Sequence, residues 1–161
     1  MAAVSVRRAV REDGPDILEL IRQLGYEAES SSFLPLLGVL IKRDEHEVLV
    51  ADDGVQAVGF VNVNFRTFLR YGALVGTVDE LCVDEEHRGH GVGQALIEAG
   101  IAAGRKRGAH HLELTTNKVR ADALRFYERL GFEITSHKLV YSLSGGPAHM
   151  PHVKEKARAS R

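Results

Sequence analysis

Polar and apolar residues alternate over residues 5–10, which predicts a strand. Ile17, Leu20, Ile21 and Leu24 then recur at helical spacing. Asp13 is a candidate N-cap for that helix, Pro15 falls in its first turn and Gly25 stops it. A second helix is predicted over residues 30–42, with Pro35 near its first turn and Phe33, Leu36, Leu37 and Leu40 as its apolar face. Apolar runs at 47–51 and 55–63 flank Asp52-Asp53-Gly54, a hairpin signature. Residues 65–71 read as a loop or strand extension with exposed aromatics, and 75–83 as the next strand. A charged, glycine-rich turn over 85–93 opens a helix running to about residue 107. The apolar face of that helix is Val92, Ala95, Leu96, Ala99 and Ala103, and Gly108 ends it. A short strand at 111–115, a helix from about 119 to 130 closed by Gly131, and strands at 133–135 and 138–143 complete the pattern. Helices inserted between strands predict an α/β fold whose sheet is at least partly parallel.

Composition narrows what such a fold does. A chain of 161 residues is sized for one domain with a real core. The lone cysteine, Cys82, excludes an internal disulfide and any zinc site built from several thiolates, and suits a reducing compartment. The net charge of -1 gives no basic footprint for nucleic acid. No apolar run approaches the ~20 residues that span a bilayer, and the first residues lack the charge-then-apolar order of a leader. The expectation is a cytoplasmic protein that binds neither nucleic acid nor membrane. Residues 144–161 hold four basic residues, one acid, two glycines and two prolines, and read as a disordered basic tail; residues 1–143 form the folded domain.

The sharpest local feature is Arg88-Gly89-His90-Gly91-Val92-Gly93, set between a strand and a helix. Alternating glycines strip side chains from a helix mouth, so backbone N–H groups there are able to surround an anion, and Arg88 adds charge. An ordinary glycine-rich turn is the plainer alternative. The spacing fails Gly-x-Gly-x-x-Gly, since Leu96 or Gln94 stands where the third glycine is needed, and no Gly-Lys-Ser/Thr follows.

With that turn, the strand Thr77-Val78-Asp79-Glu80-Leu81-Cys82-Val83-Asp84 and the block Ala123-Leu124-Arg125-Phe126-Tyr127-Glu128-Arg129-Leu130-Gly131-Phe132, the chain resembles the GNAT family of N-acetyltransferases. Arg88, Gly91 and Gly93 match the family's Arg/Gln-x-x-Gly-x-Gly/Ala signature, and the three blocks keep the family's order over about residues 75–143. The resemblance implies an acyl-CoA N-acyltransferase fold: a central, mixed, twisted sheet of six to seven strands flanked by about four helices. It implies acetyl-CoA as acetyl donor and direct transfer to an amine in a ternary complex.

The resemblance also distributes roles. Leu81, Cys82 and Val83 offer backbone groups to the pantetheine arm. Arg88, Gly89, His90, Gly91, Val92 and Gly93 hold the pyrophosphate. Asn117, Asp122 and Tyr127 are further cofactor contacts, although Asn117 serves equally as a helix cap. Tyr127 is the candidate general acid for the departing thiolate, and simple core packing is its alternative role. Glu80 is the candidate base, or the organiser of a basic water, with Asp79 the competing carboxylate. Strict alternation groups Val78, Glu80 and Cys82 on one face, and a bulge would change that sorting. Cys82 reads as core rather than nucleophile. The histidines form no convincing metal set, and His110-His111 would diverge on a strand.

Within the family, residues 113–117, 120–123 and 125–127 resemble the aminoalkylphosphonate N-acetyltransferases. That resemblance implies a small primary amine, with a phosphonate-bearing one as the narrower case, and a divalent metal as a possible cofactor. The segment 64–71 lacks that group's histidines, and Arg66 and Arg70 either meet an anionic substrate or are solvated. Polyamines, aminoglycosides, peptide amines and a non-catalytic acyl-CoA-binding role are the alternatives. A homodimer is expected.

Overall fold

A computed structural model of the chain describes residues 4–116, 121–136, 138 and 142–143. The chain divides into two compact units, one ending at Glu113 and the other beginning at Leu114. The first carries β1 (Ser5–Arg8), α1 (Gly14–Gln23), α2 (Ser30–Leu40), β2 (His46–Asp52), β3 (Ala57–Phe68), β4 (Ala73–Val83) and α3 (Val92–Lys106). β5 (Leu112–Leu114) spans the division, and α4 (Ala121–Arg129) lies in the second unit. The described sheet has five strands in the order β1-β2-β3-β4-β5, fewer than the six to seven expected. Residues 133–135 run as irregular chain instead of a strand, and 139–141 lie outside the described residues, as does the whole of 144–161.

β1 to β4 pair antiparallel throughout. The His110 N–H donates to the Leu74 carbonyl at 2.8 Å and the Gly76 N–H to the His111 carbonyl at 3.0 Å. Both numbers rise together along these bonds, so the chain entering β5 runs parallel to β4 and the sheet is mixed.

One face of the sheet carries α1 and α2. Ile17, Leu20, Leu37, Val48, Val50, Phe60 and Cys82 form its core. Leu36, placed on the apolar face by spacing, is 56% exposed instead. Pro35 sits inside α2 rather than at its start, and Phe33, Leu37 and Ile41 turn inward. The other face carries α3, where Val92, Leu96 and Ile97 are buried with Gly100 and Gly104. The expected Ala95, Ala99 and Ala103 are only half-buried. The reason is close approach. A Cβ on Gly104 would stand 2.6 Å from Leu112 Cδ1, and one on Gly100 would stand 3.3 Å from Val63 Cγ2. Small residues on the helix bring its axis down onto the strands. Phe65, expected to be exposed, is 3% exposed because β3 continues to Phe68 and turns that ring under α3.

The helix ends follow the sequence pattern. α1, α3 and α4 each close with a pair of backbone bonds around a glycine: Gly25 and Tyr26, Gly108 and Ala109, Gly131 and Phe132. The start of α1 does not, since the Asp13 side chain makes no cap bond to it. That carboxylate instead accepts the Val10 N–H at 2.8 Å and both Arg7 terminal nitrogens at 2.8 Å. Arg7 Nε also donates to Asp52 at 2.8 Å, so one guanidinium joins β1, the turn before α1 and the end of β2. Burial works to raise the Asp13 pKa, but Arg7 and the Val10 N–H outweigh it and the carboxyl titrates below its usual range.

Arg7→Met should therefore lower stability by about 1–2 kcal/mol at neutral pH, the lower part of the range for stranding a buried carboxylate because Arg7 itself is partly exposed. The folded Asp13 pKa lies below its ordinary value of 3.8, so this contribution is present above that value and is lost as pH falls through the lowered one. Urea unfolding of both proteins from pH 7 downward should show their midpoints converging at acid pH.

Candidate active site

Two features of the first unit build the site: an irregularity in β4 and the turn that follows it. Asn62 pairs with Glu80, but its neighbour Val63 pairs with Val78. Asp79 is therefore an extra residue, a β-bulge. The bulge overturns the strict alternation expected for this strand. Val78 opposes Val63, which faces α3, whereas Glu80 opposes Asn62 and shares the α1–α2 face with Phe60 and Cys82. Asp79 is exposed.

Glu80 is half-buried, and its Oε2 accepts a 2.8 Å hydrogen bond from Asn62 Nδ2. Burial raises the proton affinity of this carboxyl, the Asn62 bond opposes that, Asp79 adds to it and His46 subtracts. The net direction is upward. Cys82 is 3% exposed and its thiol donates to the Leu20 carbonyl at 3.1 Å, as a core side chain.

β4 then leaves the sheet through a short 3₁₀ turn at Glu85–His87. His87 Nδ1 lies 2.9 Å from Asp84 Oδ1, and its Nε2 lies 3.9 Å from Asp53. These contacts tie the turn to the β2–β3 hairpin and, with Gln23, hold the Asp84 carboxyl below its usual range. Gly89 and Gly91 follow at φ +77 and +82, the left-handed region that glycine adopts without steric cost. Nothing lies within 4 Å of a Cβ at either position, so the backbone conformation is what requires glycine here. Gly91 is the N-cap of α3, a helix of 15 residues, and no side chain caps it. The first-turn N–H groups of Val92, Gly93 and Gln94 thus have no carbonyl of their own helix to meet. That donor set, at the positive end of a helix dipole, fits a pyrophosphate.

Arg88 stands at the turn but is turned back on it. Its Nε donates to the Val83 carbonyl at 3.0 Å and Nη1 lies 3.5 Å from Glu85. His90 is exposed on the same loop and Val92 is 4% exposed under it. Leu81 and Val83 are half-buried on β4. β5 has three residues against eleven in β4, and Thr77 Oγ1 of β4 donates to Glu113 Oε1 of β5 at 3.3 Å.

In the second unit, Tyr127 is half-buried on α4, and its ring meets Phe126 and Phe132 edge-on at 5.1 and 5.7 Å. Asp122 is exposed and pairs with Arg125 on its own helix. Asn117 lies outside the described residues.

Other expectations sort as follows. Arg66 and Arg70 both lie over the Phe68 ring, at 4.8 and 4.6 Å, and Arg66 reaches Glu113 at 3.6 Å. Both residues are exposed while their guanidinium groups rest on that ring. His110 and His111 converge instead of diverging, with Nδ1 atoms 2.9 Å apart, because both precede β5 and escape its alternation. Among the described residues no group of three or more His, Cys, Asp or Glu is arranged for a metal ion. Spacing missed Asn62 and His46 altogether. The available signal was Asn62 itself, a polar residue inside the apolar run of β3.

A parallel crossover into a mixed sheet, an open helix mouth and a half-buried carboxylate on the preceding strand define an α/β protein of the acyltransferase class. The Acetyltransferase (GNAT) family model matches residues 14–132, and the chain belongs to that family. It is 28% identical to the aminoalkylphosphonate N-acetyltransferase of Salmonella typhimurium over 148 residues, covering 89% of this chain and 94% of that one. It is 38% identical to an uncharacterized N-acetyltransferase of Methanocaldococcus jannaschii over 96 residues, 58% of this chain but only 42% of that protein's length. A Bacillus halodurans protein described as a transcriptional regulator superposes with a TM-score of 0.82 at 29% identity, covering 88% of this chain and all of that one. A Trypanosoma brucei acetyltransferase does so at 0.74 and 25%.

Because Gly91 has φ +82 and open space around its Cβ position, Gly91→Ala should cost about 1–2 kcal/mol through backbone strain alone. Gly91→Asn should cost less, since asparagine tolerates that region better. Chemical denaturation of the three proteins checks the order glycine, asparagine, alanine.

Proposed function

We propose that the protein transfers an acetyl group from acetyl-CoA to a small primary amine, with Glu80 as base and Tyr127 as acid. The single observation that carries the reading is Glu80: a carboxyl placed by a bulge on β4, half-buried and raised in proton affinity, one short turn from an open helix mouth. Membership of the acetyltransferase family supports the rest. One catalytic domain over 1–143, followed by a basic tail over 144–161, is part of the same proposal, and the family match over 14–132 falls within that domain.

Each group then has one task. Acetyl-CoA, when bound, supplies an activated thioester. The N–H groups at Val92–Gln94 bind its pyrophosphate, and Gly89 and Gly91 keep the approach to them clear. Arg88 acts first by holding the turn closed through Val83 and Glu85. The backbone of Leu81–Val83 offers donors and acceptors to an extended arm. Glu80, directly or through a water, takes the proton that an ammonium must lose before it attacks. Asp79 is the weaker choice because the bulge leaves it exposed. Tyr127 holds a phenolic proton for the departing sulfur, its ordinary pKa of ~10 being close to that of a thiol.

For the acceptor, the Salmonella relative spans nearly the whole of both chains, which supports an amine bearing a phosphonate. Acetyl transfer should be measured against 2-aminoethylphosphonate, spermidine, kanamycin and a lysine peptide. Preference for the phosphonate supports the narrower reading, and preference for any of the others removes it. CoA binding with no transfer to any of the four would favour the non-catalytic alternative.

Two variants test the roles. Glu80→Gln should lower kcat/KM by about 10²-fold or more near neutral pH, the usual size of a general-base contribution. The base acts only when ionised, so wild-type activity should rise with pH through the raised Glu80 pKa, above the ordinary 4.5. The deficit of the variant should shrink again as pH approaches the amine's own pKa, where no proton needs removing. Tyr127→Phe should lower kcat while CoA affinity, read by calorimetry, stays close to wild type.

A further inference from the structure

Asn62 is a polar residue where β3 otherwise buries apolar ones. It is 7% exposed, between Val61 and Val63 at 0%. A buried amide must have both its donor and its acceptor satisfied. Here each end goes to a different titratable group: Nδ2 donates to Glu80 Oε2 at 2.8 Å, and Oδ1 lies 3.1 Å from His46 Nδ1.

Chemistry decides which way the amide points. The reverse orientation would set its oxygen against a carboxylate oxygen, with no proton between them. With Nδ2 toward Glu80, Oδ1 needs a donor, and His46 supplies one only if its proton is on Nδ1. The two bonds therefore select each other across three adjacent strands: β2 holds His46, β3 holds Asn62 and β4 holds Glu80. The register fits, since Val48 and Glu80 both pair with Asn62 and His46, two residues before Val48, lies on the same face of β2.

We propose that His46 is a positioning residue for Glu80, acting through Asn62: its Nδ1–H locks the amide with the NH₂ toward the carboxylate and so sets how readily that carboxylate takes a proton. The proposal rests on the reading of Glu80 as the base. Among the described residues, Asp79 on the same strand raises the proton affinity of Glu80 by its charge and His46 on β2 lowers it. The core that α1 and α2 lay over this face consists of apolar side chains and Cys82. With Asn62 fixed, the carboxylate keeps a donor although it is half-buried. With the amide free to rotate, it loses that donor and holds its proton to higher pH.

The Glu80 carboxyl should be titrated by carbon NMR in protein labelled at glutamate side-chain carbonyls, the resonance being assigned by its loss in Glu80→Gln. Asn62→Leu removes the donor outright and should raise the Glu80 midpoint by about one pH unit, the equivalent of one hydrogen bond to a charged group. His46→Phe keeps a ring but no donor and should raise it by a smaller amount in the same direction. His46→Asn places an amide N–H near the Nδ1 position and should restore the wild-type midpoint without restoring any charge. Equal shifts in His46→Phe and His46→Asn would mean that His46 acts by charge through space, and would overturn the relay. Unchanged midpoints in His46→Phe and Asn62→Leu would overturn it as well. If Asn62→Leu does not fold, the His46 pair, at a half-buried position, carries the test by itself. The reading of Glu80 as base fails separately: acetyl transfer by Glu80→Gln that keeps the wild-type rate and acid limb would refute the base without touching the titration result.

Discussion

One extra residue in β4 sets the rest of the site. Without Asp79 as a bulge, Glu80 would follow Val78 onto the face that packs against α3, and a carboxylate would lie in an apolar helix–sheet seam. With it, Val78 stays on the α3 face and Glu80 moves to the other, beside Asn62. The place of Glu80 beside Asn62 is thus the consequence of a single backbone irregularity.

The other side of the sheet is governed by space. Gly59, Gly76, Gly100 and Gly104 each stand where a Cβ would press on a neighbour, so α3 lies close on the strands. That placement does two things. It buries Leu96 and Ile97 completely, and it fixes where the helix begins. The glycines upstream serve a different purpose. Gly89 and Gly91 have nothing beside them and are needed for their backbone angles. One residue type thus supplies tight packing along the helix and an open mouth at its end.

Much of this was legible in the sequence, because the signals were local. Helix stops at Gly25, Gly108 and Gly131 and the glycine turn at 88–93 all come from short stretches of chain. What escaped was set by partners far away in sequence. The bulge shows only once β3 is laid against β4. Phe65 was misjudged because burial by α3 is not written in its neighbours. His110 and His111 were expected to diverge on a strand that starts one residue later. Gly100 and Gly104 are weak helix formers by propensity, whereas packing against the strands selects them for being small.

The polar group at Glu80 also makes sense against the other carboxyls. Among the described residues, Asp13, Asp52, Asp53 and Asp84 are displaced downward, each bonded to N–H groups or a basic partner. Glu80 is displaced upward, with burial as the leading cause and one neutral amide as its bonded donor. A carboxylate used to stabilise a fold gains from being held ionised, as Asp13 is. A carboxylate used to accept a proton must be ionised at working pH and still basic enough to take one up, and strong cationic donors would lower that basicity. An amide is the compromise: it satisfies one oxygen without adding charge. Burying that amide has a cost unless its own oxygen is met, which is why a histidine two strands away belongs to the same arrangement.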